Sequence, residues 1–529
     1  MELHTAGHRR GVVAAPHQAA VEAGHAILAE GGNAIEAMVA MAAAIVAVYP
    51  HMSHVGGDGV WLIREPSGRV RALIAAGRAG SNVRRELYRH QDEIPPRGPF
   101  AALTAPGAIA GWMLALEVAG ALGGRLPLAD LLASAIRHAR DGYVATAGQA
   151  RLTSEQLAEL QDVAGFAATF LIDGKVPGEG AILRQPALAT TLDHLAHAGL
   201  ADFYRGDVGR EIARDLERLG SPLLRADIET CRATLTEPLW VDIDAGTLFN
   251  TPPPTQGLAS LIILALFTRL RVLEAESFEH IHGLVEATKH ALRVRDRVIS
   301  DPERLPHSIE RYLDAGFLDA QAREIDRHKA AAWSPLQSEG GTVWMGAADA
   351  SGLAVSYTQS LYWEFGSGLV LPQTGVLMQN RGISFSLAAG ALNALEPGRL
   401  PFHTLNPALA VLADGRVVAY GAMGGDGQPQ SQAALFTRHV LYSAPLDRAI
   451  DAPRWLLGRT WGSARTSLRM ESRFADALVD RLIAAGHDVE LLAQPYSDVM
   501  GHVGAVVLHP SGTLEGAHDP RADGGAAGV

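Results

Sequence analysis

The 529-residue chain has a single cysteine, Cys231, and only 6% aromatic residues. One cysteine excludes an internal disulfide and any zinc site built from several cysteines, so Cys231 is predicted to be a small buried apolar residue. Charged residues make up 19% of the chain, and the formal net charge of −12 argues against a nucleic-acid-binding surface. The most apolar stretch, Ala37 to Tyr49, is too short to span a bilayer, which argues against a membrane protein.

Most common catalytic signatures are also missing. The chain contains no Gly-x-Ser-x-Gly elbow, no Ser-x-x-Lys, no Gly-x-x-x-x-Gly-Lys phosphate loop and no His-Glu-x-x-His zinc helix. His51 and His54 lie three residues apart, but no third ligand accompanies them, so they are interpreted as structural or substrate-lining histidines. The sequence therefore predicts neither a metal nor another cofactor.

The order of local patterns divides the chain near residue 341. The start, Met1 to His17, has no apolar run of signal-peptide length, which predicts a cytoplasmic protein. After a short strand hairpin the first half is predicted to be mainly helical, with helical periodicity dominating from Ile109 to about Asp326. Residues 327–341 are polar and alanine-rich, which predicts an exposed linker. The remainder is predicted to be strand-rich, and residues 521–529 are predicted to fray.

Thr342 stands where this linker meets a predicted strand, directly after Gly340 and Gly341. If the Gly341–Thr342 bond is cut, Thr342 gains an α-amine with an ordinary pKa of about 7.7–8.0. The neutral fraction of that amine can take the proton of the adjacent hydroxyl, so one residue supplies both nucleophile and base. Glycines before the bond leave room for the hydroxyl to reach the preceding carbonyl. Gly-Gly-Thr is also an ordinary loop sequence, so the tripeptide alone makes Thr342 only a candidate nucleophile.

Hairpin geometry predicts a second hydroxyl beside Thr342. Residues 349–352 suit a three-residue hairpin loop that pairs Asp349 with Leu353. Counting outward in this register places Thr342 opposite Ser360. Two interpretations remain open at this point: Ser360 orients the nucleophile, or it is a surface serine of the strand.

A pair of glycines is the candidate for stabilising an oxyanion. Gly424 and Gly425 follow a predicted strand and precede a predicted helix. Backbone N–H groups at such a turn can approach a tetrahedral oxyanion closely. The alternative is a tight turn that simply requires glycine.

Several segments together resemble the gamma-glutamyltransferase family of N-terminal-nucleophile hydrolases, in matching order along nearly the whole chain. The segments are Glu22-Ala23-Gly24, Gly31 to Ala37, Pro50 to Gly59, Pro106-Gly107, Gly111-Trp112, Ala135 to Gly142, Thr342 with Asp349 and Gly352, Phe365 to Gly368, Pro407, Gly424-Gly425 and Asp451 to Arg454. The resemblance implies an α/β (α+β) fold, the four-layer αββα sandwich. It also implies self-cleavage between Gly341 and Thr342 into a large chain, 1–341, and a small chain, 342–529, that stay intertwined. Whether two of these two-chain units associate as a dimer is left open by the resemblance.

Roles for individual residues follow from the resemblance by position. It implies that Thr342 is the nucleophile and that Ser360 is the supporting hydroxyl, where the family usually has threonine. Gly424 and Gly425 match the oxyanion hole. Arg78 matches the arginine that holds the carboxylate of the substrate.

The amino-acid-binding half of the site departs from the family pattern. Tyr362 stands where gamma-glutamyl enzymes have a substrate-binding asparagine. The stretch that holds the α-ammonium of the substrate is here 380–384, which contains Arg381 and Ser384 but no carboxylate. His403-Thr404 replaces the usual pair of serines. These altered positions are predicted to contact the substrate. Because no carboxylate remains to pair an α-ammonium, the predicted substrate is not an amino acid.

This combination resembles the cytoplasmic branch of the family that includes oxamate amidohydrolase of purine-ring degradation. It predicts hydrolysis of a small carboxylate-bearing amide, with oxamate giving oxalate and ammonia as the best example. The alternatives are a gamma-glutamyl hydrolase or transpeptidase, an acylase, and a non-catalytic binding protein on the same scaffold. A pure binding protein needs neither Thr342 nor the glycine pair. The predicted partners are the small amide and the two chains of one precursor, without nucleic acid or membrane.

Overall fold

Strands and helices alternate along the chain in the computed structural model, which describes residues 2–305, 307–333, 341–458 and 467–529. In chain order the strands are β1 (His4–His8), β2 (Gly11–Ala15), β3 (Asp58–Arg64), β4 (Val70–Ala75), β5 (Tyr143–Val144), β6 (Ile182–Leu183), β7 (Thr234–Thr236), β8 (Leu239–Ile243), β9 (Gly246–Asn250), β10 (Gly341–Asp349), β11 (Ala354–Tyr362), β12 (Ala408–Leu412), β13 (Val417–Ala422), β14 (Trp455–Leu457), β15 (Leu468–Glu471), β16 (Val489–Leu492), β17 (Val503–Leu508), β18 (Leu514–His518) and β19 (Gly525–Gly528). The helices are α1 (Gln18–Ala29), α2 (Ala34–Val48), α3 (Ala108–Ala121), α4 (Leu128–Asp141), α5 (Ala147–Leu160), α6 (Phe166–Phe170), α7 (Pro186–Ala198), α8 (Asp202–Arg205), α9 (Asp207–Leu219), α10 (Arg225–Thr230), α11 (Gly257–Arg269), α12 (Phe278–Val298), α13 (Ala315–Glu324), α14 (Gln428–Phe436), α15 (Leu446–Asp451) and α16 (Asp476–Ala484).

Two seven-stranded antiparallel sheets lie at the centre of the fold. One has the order β1-β18-β17-β13-β12-β9-β8, and the other has the order β19-β2-β10-β11-β3-β4-β7. Their facing surfaces are apolar: Leu62 and Trp344 of the second sheet belong to the same buried cluster as Leu409 and Val506 of the first. Burial of these side chains between the sheets holds the two layers face to face.

Helices cover the outer face of each sheet. Helices α1 and α2 pack on the sheet that contains β2 and β10, and every residue of α2 is buried. Helices α11 and α14 pack on the other sheet, against β8 and β13. The resulting order of helix, sheet, sheet and helix confirms the predicted four-layer αββα sandwich.

Local signals explain why α2, the central helix, begins where it does. The side chain of Asn33 accepts hydrogen bonds from the backbone N–H groups of Ile35 and Glu36. The carboxylate of Glu36 accepts the N–H of Asn33 at 2.8 Å, which completes a capping box. Alanine and other apolar residues then continue the helix without a charged side chain after Glu36, so it can be buried on all sides.

Both central sheets combine strands from the two sides of the Gly341–Thr342 bond. Strands β10 and β19 flank β2, strand β11 pairs with β3 in the same sheet, and strands β12, β13, β17 and β18 lie between β1 and β9 in the other sheet. A break at this bond would therefore leave two chains that share hydrogen-bonded strands in each sheet.

Two predictions about organisation need correction. Helices dominate between Ile109 and Asp326 as predicted, but this region also contains β7, β8 and β9, which extend the edges of both sheets. Residues 525–528, within the tail predicted to fray, form β19 and pair with β2. Glycine and alanine have little intrinsic preference for strands, so this pairing is decided by the tertiary neighbour and not by the local sequence.

The predicted linker is only partly visible, because residues 334–340 lie outside the described residues. The preceding residues are partly exposed and bound to the rest of the molecule. Lys289 Nζ donates to Ala331 O at 2.7 Å, and Ala330 N donates to Ala485 O at 2.8 Å. Among the described helices, none combines the length and apolar character that a membrane span requires.

Candidate active site

Thr342 lies near the start of β10 with its side chain fully buried. Its Oγ1 lies 2.7 Å from the carbonyl oxygen of Gly341 and 3.2 Å from Oγ of Ser360. Ser360 Oγ also donates to the Gly341 carbonyl oxygen. The peptide bond before Thr342 thus has the hydroxyl of the predicted nucleophile and a second hydroxyl against its carbonyl group.

The register of the β10–β11 hairpin explains this meeting of hydroxyls. Asp349 N donates to Leu353 O at 3.0 Å, as the loop geometry predicted, and the pairing continues to Val343 opposite Gln359. The next described pair joins Gly341 to Tyr362, so the register shifts by one residue beside Thr342. Such a bulge redirects side chains locally, which is why bulges recur next to active sites.

Ser360 is held by backbone packing as well as by hydrogen bonds. Its Oγ accepts the backbone N–H of Tyr362 at 2.7 Å. On the other side, a Cβ at Gly57 would lie only 2.2 Å from Ser360 O, so glycine is needed for the loop before β3 to approach β11 this closely. Ser360 is buried, and the interpretation of a surface serine is therefore wrong.

The glycine turn adopts a backbone conformation that favours glycine. Gly424 has φ +117° and Gly425 has φ +51°, between the end of β13 and the start of α14. Gln256 Nε2 donates to Gly425 O at 2.8 Å and to Thr404 O at 2.6 Å. Arg295 Nη1 in turn donates to Gln256 Oε1 at 2.8 Å. The buried side-chain amide of Gln256 therefore holds the turn in place through a hydrogen bond to Gly425 O.

Arg381 lies between Thr404 and Ser360, the residue that contacts Thr342. Its guanidinium is fully buried, with Nη2 3.3 Å from Ser360 Oγ and Nη1 3.2 Å from Thr404 Oγ1. Its Cζ lies 4.1 Å from the centroid of the Tyr362 ring, within the range of a cation–π contact. Burial lowers the pKa of Arg381 to about 10, which leaves it a cation at neutral pH.

Asp58 and His403 are buried, and the charge of Arg381 affects the pKa of each. Asp58 Oδ1 accepts the N–H groups of Gly77 at 3.0 Å and Gly107 at 2.9 Å, and Asp58 Oδ2 lies 3.4 Å from His403 Nε2. Burial raises the pKa of Asp58 to about 7, against the opposing effect of the Arg381 charge. Burial, reinforced by Arg381, holds the pKa of His403 well below its usual range, so His403 is neutral.

The remaining predicted substrate residues fall into two places. Tyr362 and Ser384 line a cleft of about 590 Å³ together with Phe402 and Arg295. Arg78 is partly exposed, and its described partners are Glu303 Oε1 at 2.6 Å, Asp301 Oδ2 at 3.4 Å and Gly398 O at 3.0 Å. Its guanidinium is thus bound to two carboxylates of the protein itself.

Two groups of histidines have structural contacts. His54 Nδ1 accepts the N–H of Leu377 at 3.1 Å, and burial lowers the pKa of His54 to about 4. The ring of His51 packs against the ring of Tyr49 in a tilted arrangement, with the centroids 4.2 Å apart. A separate cluster of metal-ligand types already bonds internally: His282 Nδ1 lies 2.8 Å from His487 Nε2, and Lys289 Nζ donates to Glu286 Oε1 at 2.7 Å.

Sequence reasoning missed Asp58, Gln256 and Arg295. An acidic residue inside the Gly56-Gly57-Asp58-Gly59 run was a usable signal, because a charge between glycines must find a partner when the loop is buried. Gln256 and Arg295 lie 39 positions apart in the sequence and contact Gly425 and Asp426, respectively, only in the folded protein, so no local pattern predicts them.

Known proteins match this chain in sequence and in structure over almost its full length. The family model of gamma-glutamyltranspeptidase matches residues 20–529. The oxamate amidohydrolase proenzyme of Klebsiella pneumoniae is 52% identical, and the glutathione hydrolase-like YwrD proenzyme of Bacillus subtilis is 38% identical; in both cases the alignment covers 98% of each chain. The crystal structure of cephalosporin acylase from Bacillus halodurans superposes with a TM-score of 0.91 at 29% identity, covering 100% of this chain and 97% of that one. The chain therefore belongs to the gamma-glutamyltranspeptidase family.

Proposed function

We propose that the chain cuts its own Gly341–Thr342 bond and then uses Thr342 to hydrolyse a short carboxylate-bearing amide, with oxamate as the preferred substrate. The chain is a hydrolase of amide bonds, as its family membership indicates. The observation that carries the proposal is the contact of two hydroxyls, Thr342 Oγ1 and Ser360 Oγ, with the Gly341 carbonyl oxygen.

Self-cleavage begins with attack of Thr342 Oγ1 on the carbonyl carbon of Gly341. The C–N bond breaks, the acyl group moves to the hydroxyl oxygen as an ester, and the nitrogen takes up a proton as the α-amine of Thr342. Water then hydrolyses the ester and leaves a carboxylate on Gly341. The products are a large chain, 1–341, and a small chain, 342–529.

The same hydroxyl performs each later turnover. The neutral α-amine of Thr342 accepts the hydroxyl proton as Oγ1 attacks the amide carbonyl of the substrate. The backbone N–H groups of the Gly424-Gly425 turn stabilise the oxyanion, and Ser360 holds the rotamer of the nucleophile. Ammonia leaves with the proton, and water hydrolyses the Thr342 ester to release the acid.

Two features support a short anionic amide over an amino-acid derivative. The relative at 52% identity is named oxamate amidohydrolase. In addition, the stretch 380–384 offers a cation, Arg381, and no acidic residue. An α-ammonium placed there would be desolvated beside a like charge, which is costly.

A gamma-glutamyl hydrolase remains the second candidate, because the relative at 38% identity is named glutathione hydrolase-like. Release of ammonia from oxamate and cleavage of glutathione and of a gamma-glutamyl anilide would be measured on the purified, cleaved protein, with Thr342→Ala as the control. We expect oxamate to be hydrolysed fastest and the variant to be inactive on every substrate. Efficient gamma-glutamyl cleavage with no ammonia from oxamate would establish the second candidate instead.

A further inference from the structure

Arg381 differs from other buried arginines of the molecule in its partners. Arg295, Arg454 and Arg521 each form an ion pair with a buried or largely buried carboxylate, of Asp426, Asp519 and Glu471 respectively. Across the described residues, the hydrogen-bond partners of Arg381 are two hydroxyls, Ser360 Oγ and Thr404 Oγ1. Its Nε has no hydrogen-bond partner there. A buried guanidinium with only neutral hydrogen-bond acceptors can still accept an anion.

The carboxyl group that acts electrostatically on Arg381 does not fully neutralise this cation. Asp58 influences Arg381 electrostatically, but Asp58 Oδ1 already accepts three hydrogen bonds, from Gly77 N, Gly107 N and Gln379 Nε2. Burial raises the pKa of Asp58 to about 7, so a large fraction of Asp58 is uncharged at neutral pH. Since a buried charge is costly without a paired opposite charge, the site favours an incoming carboxylate.

The position of Arg381 limits how long the substrate can be. Its Nη2 lies 3.3 Å from Ser360 Oγ, which is itself 3.2 Å from the nucleophilic Oγ1 of Thr342. A carboxylate bound by this guanidinium is therefore next to the scissile carbonyl group. In oxamate the carboxylate is bonded directly to the scissile carbon, whereas three carbon atoms separate the two groups in a gamma-glutamyl amide.

We propose that Arg381 is the specificity-determining residue of the reaction, and that its guanidinium binds the substrate carboxylate beside Thr342 and selects amides whose carboxylate is attached directly to the scissile carbonyl. The inference rests on the proposed function, and it replaces Arg78 in that role. Arg78 is the weaker candidate because its guanidinium is paired with Glu303 and Asp301. The planar fork of Arg381 can bind a carboxylate through two parallel hydrogen bonds, with Tyr362 supporting its face.

The first test compares an anionic with a neutral substrate of the same shape. In wild type, Arg381→Met and Arg381→Lys, kcat/KM is measured for oxamate and for oxamide, using only cleaved protein. We expect Arg381→Met to lower the value for oxamate by roughly 10- to 100-fold and to leave oxamide nearly unchanged, with partial recovery in Arg381→Lys. An equal loss on both substrates would mean that Arg381 acts only on the shared machinery, and would overturn the proposal.

Chain length provides an independent readout. Oxamate, malonamate and succinamate differ by one methylene at each step between the carboxylate and the scissile amide. We expect wild-type kcat/KM to fall along this series and the differences to shrink in Arg381→Met. A wild-type preference for succinamate would contradict a carboxylate receptor beside the nucleophile.

Binding of oxalate separates this inference from the proposed function. Calorimetry on the cleaved wild type, Arg381→Met and Arg78→Met measures anion binding without turnover. We expect Arg381→Met to weaken oxalate binding by roughly tenfold or more and Arg78→Met to weaken it less. If Arg381→Met does not mature, Arg381→Lys serves the same comparison. Loss of binding in Arg78→Met alone would overturn the inference, whereas Arg381-dependent binding without oxamate hydrolysis would refute only the proposed function.

Discussion

At the scale of single residues, the site depends on two hydroxyls that share one carbonyl oxygen. Thr342 Oγ1 and Ser360 Oγ both contact Gly341 O, and Ser360 is fixed by the N–H of Tyr362. In the proposed mechanism, one serine thereby orients both the carbonyl group that would be cut in maturation and the hydroxyl that would act in turnover. The two steps should consequently respond together to changes at this position.

Replacement of Ser360 tests this coupling. Ser360→Ala should slow both self-cleavage and turnover by roughly 10- to 100-fold, because the nucleophile loses its orienting partner. Ser360→Thr keeps the hydroxyl and should recover most of both rates. Denaturing gels over time give the cleaved fraction, and ammonia release from the cleaved portion gives kcat. Cleavage of Ser360→Ala at the wild-type rate would show that Ser360 has no part in maturation.

Gly425 tests the oxyanion role of the turn. A side chain at φ +51° is strained and would shift the backbone N–H groups, so Gly425→Ala should lower kcat by roughly 10²–10³-fold. Gly512→Ala is the matched control, since Gly512 has φ +78° in a surface turn with no atom within 4 Å of the added Cβ. Both variants should lose similar, small amounts of stability in thermal melts. Unfolding of Gly425→Ala alone would favour a purely structural turn.

Asp58 should give the stability of the protein a particular pH dependence. Its pKa is raised by burial to about 7, so the folded protein keeps a proton that the unfolded chain releases near pH 4. The stabilising contribution is therefore complete below about pH 4 and is lost as the pH rises through about 7. Asp58→Asn removes this titration, and the decline in Tm from pH 5 to pH 8 should be smaller than in wild type. An identical decline in both proteins would refute the assignment.

At the scale of elements, the start of α11 and the C-terminal turn of α12 support the Gly424-Gly425 turn. Gln256 precedes α11 and bonds to the carbonyls of Thr404 and Gly425, while Arg295 of α12 bonds to Gln256 and pairs with Asp426. Elements that lie before the cleavage point thus position groups that lie after it. Gln256 acts through the backbone of its neighbours and is a positioning residue.

Gln256→Met keeps the length of the side chain but removes its hydrogen bonds. We expect kcat to fall by roughly 10- to 100-fold with a modest loss of Tm, because the turn loses its support. Gln149→Met is the control: Gln149 is also buried and donates to Tyr143 Oη at 3.0 Å, outside the site. It should lose similar stability and keep its kcat. Equal loss of kcat in both variants would reduce Gln256 to a folding role.

Other helices and strands show which features of the fold a sequence pattern can predict and which it cannot. Helical periodicity in the sequence predicts helices at Leu128–Asp141 and Pro186–Ala198, and these are the bounds of α4 and α7, because amphipathic spacing is a local signal. The Thr342–Ser360 register follows from a short hairpin loop for the same reason. Strands β8 and β19 were missed because pairing with distant strands determines them. The roles of Asp58 and Gln256 were not predicted because their hydrogen-bond partners lie in loops that are distant in the sequence.

At the scale of the whole molecule, the two predicted chains are interleaved and not stacked as separate domains. Each central sheet contains strands from before and from after residue 341, and Lys289 of α12 holds the segment that precedes the predicted cleavage point. The large hydrogen-bonded area between the two parts keeps them together once the Gly341–Thr342 bond is broken. The proposed cleavage would therefore change the chemistry of one residue and leave the fold intact.

The most direct test of the account is the identity of the first residue of the small chain in active protein. We expect intact mass and N-terminal sequencing to show two chains that co-purify, the smaller beginning at Thr342. Thr342→Ala should remain a single, inactive chain, and Thr342→Ser should cleave with weak activity because it keeps a hydroxyl. A fully active protein whose Gly341–Thr342 bond is intact, or a small chain that begins at another residue, would contradict the account.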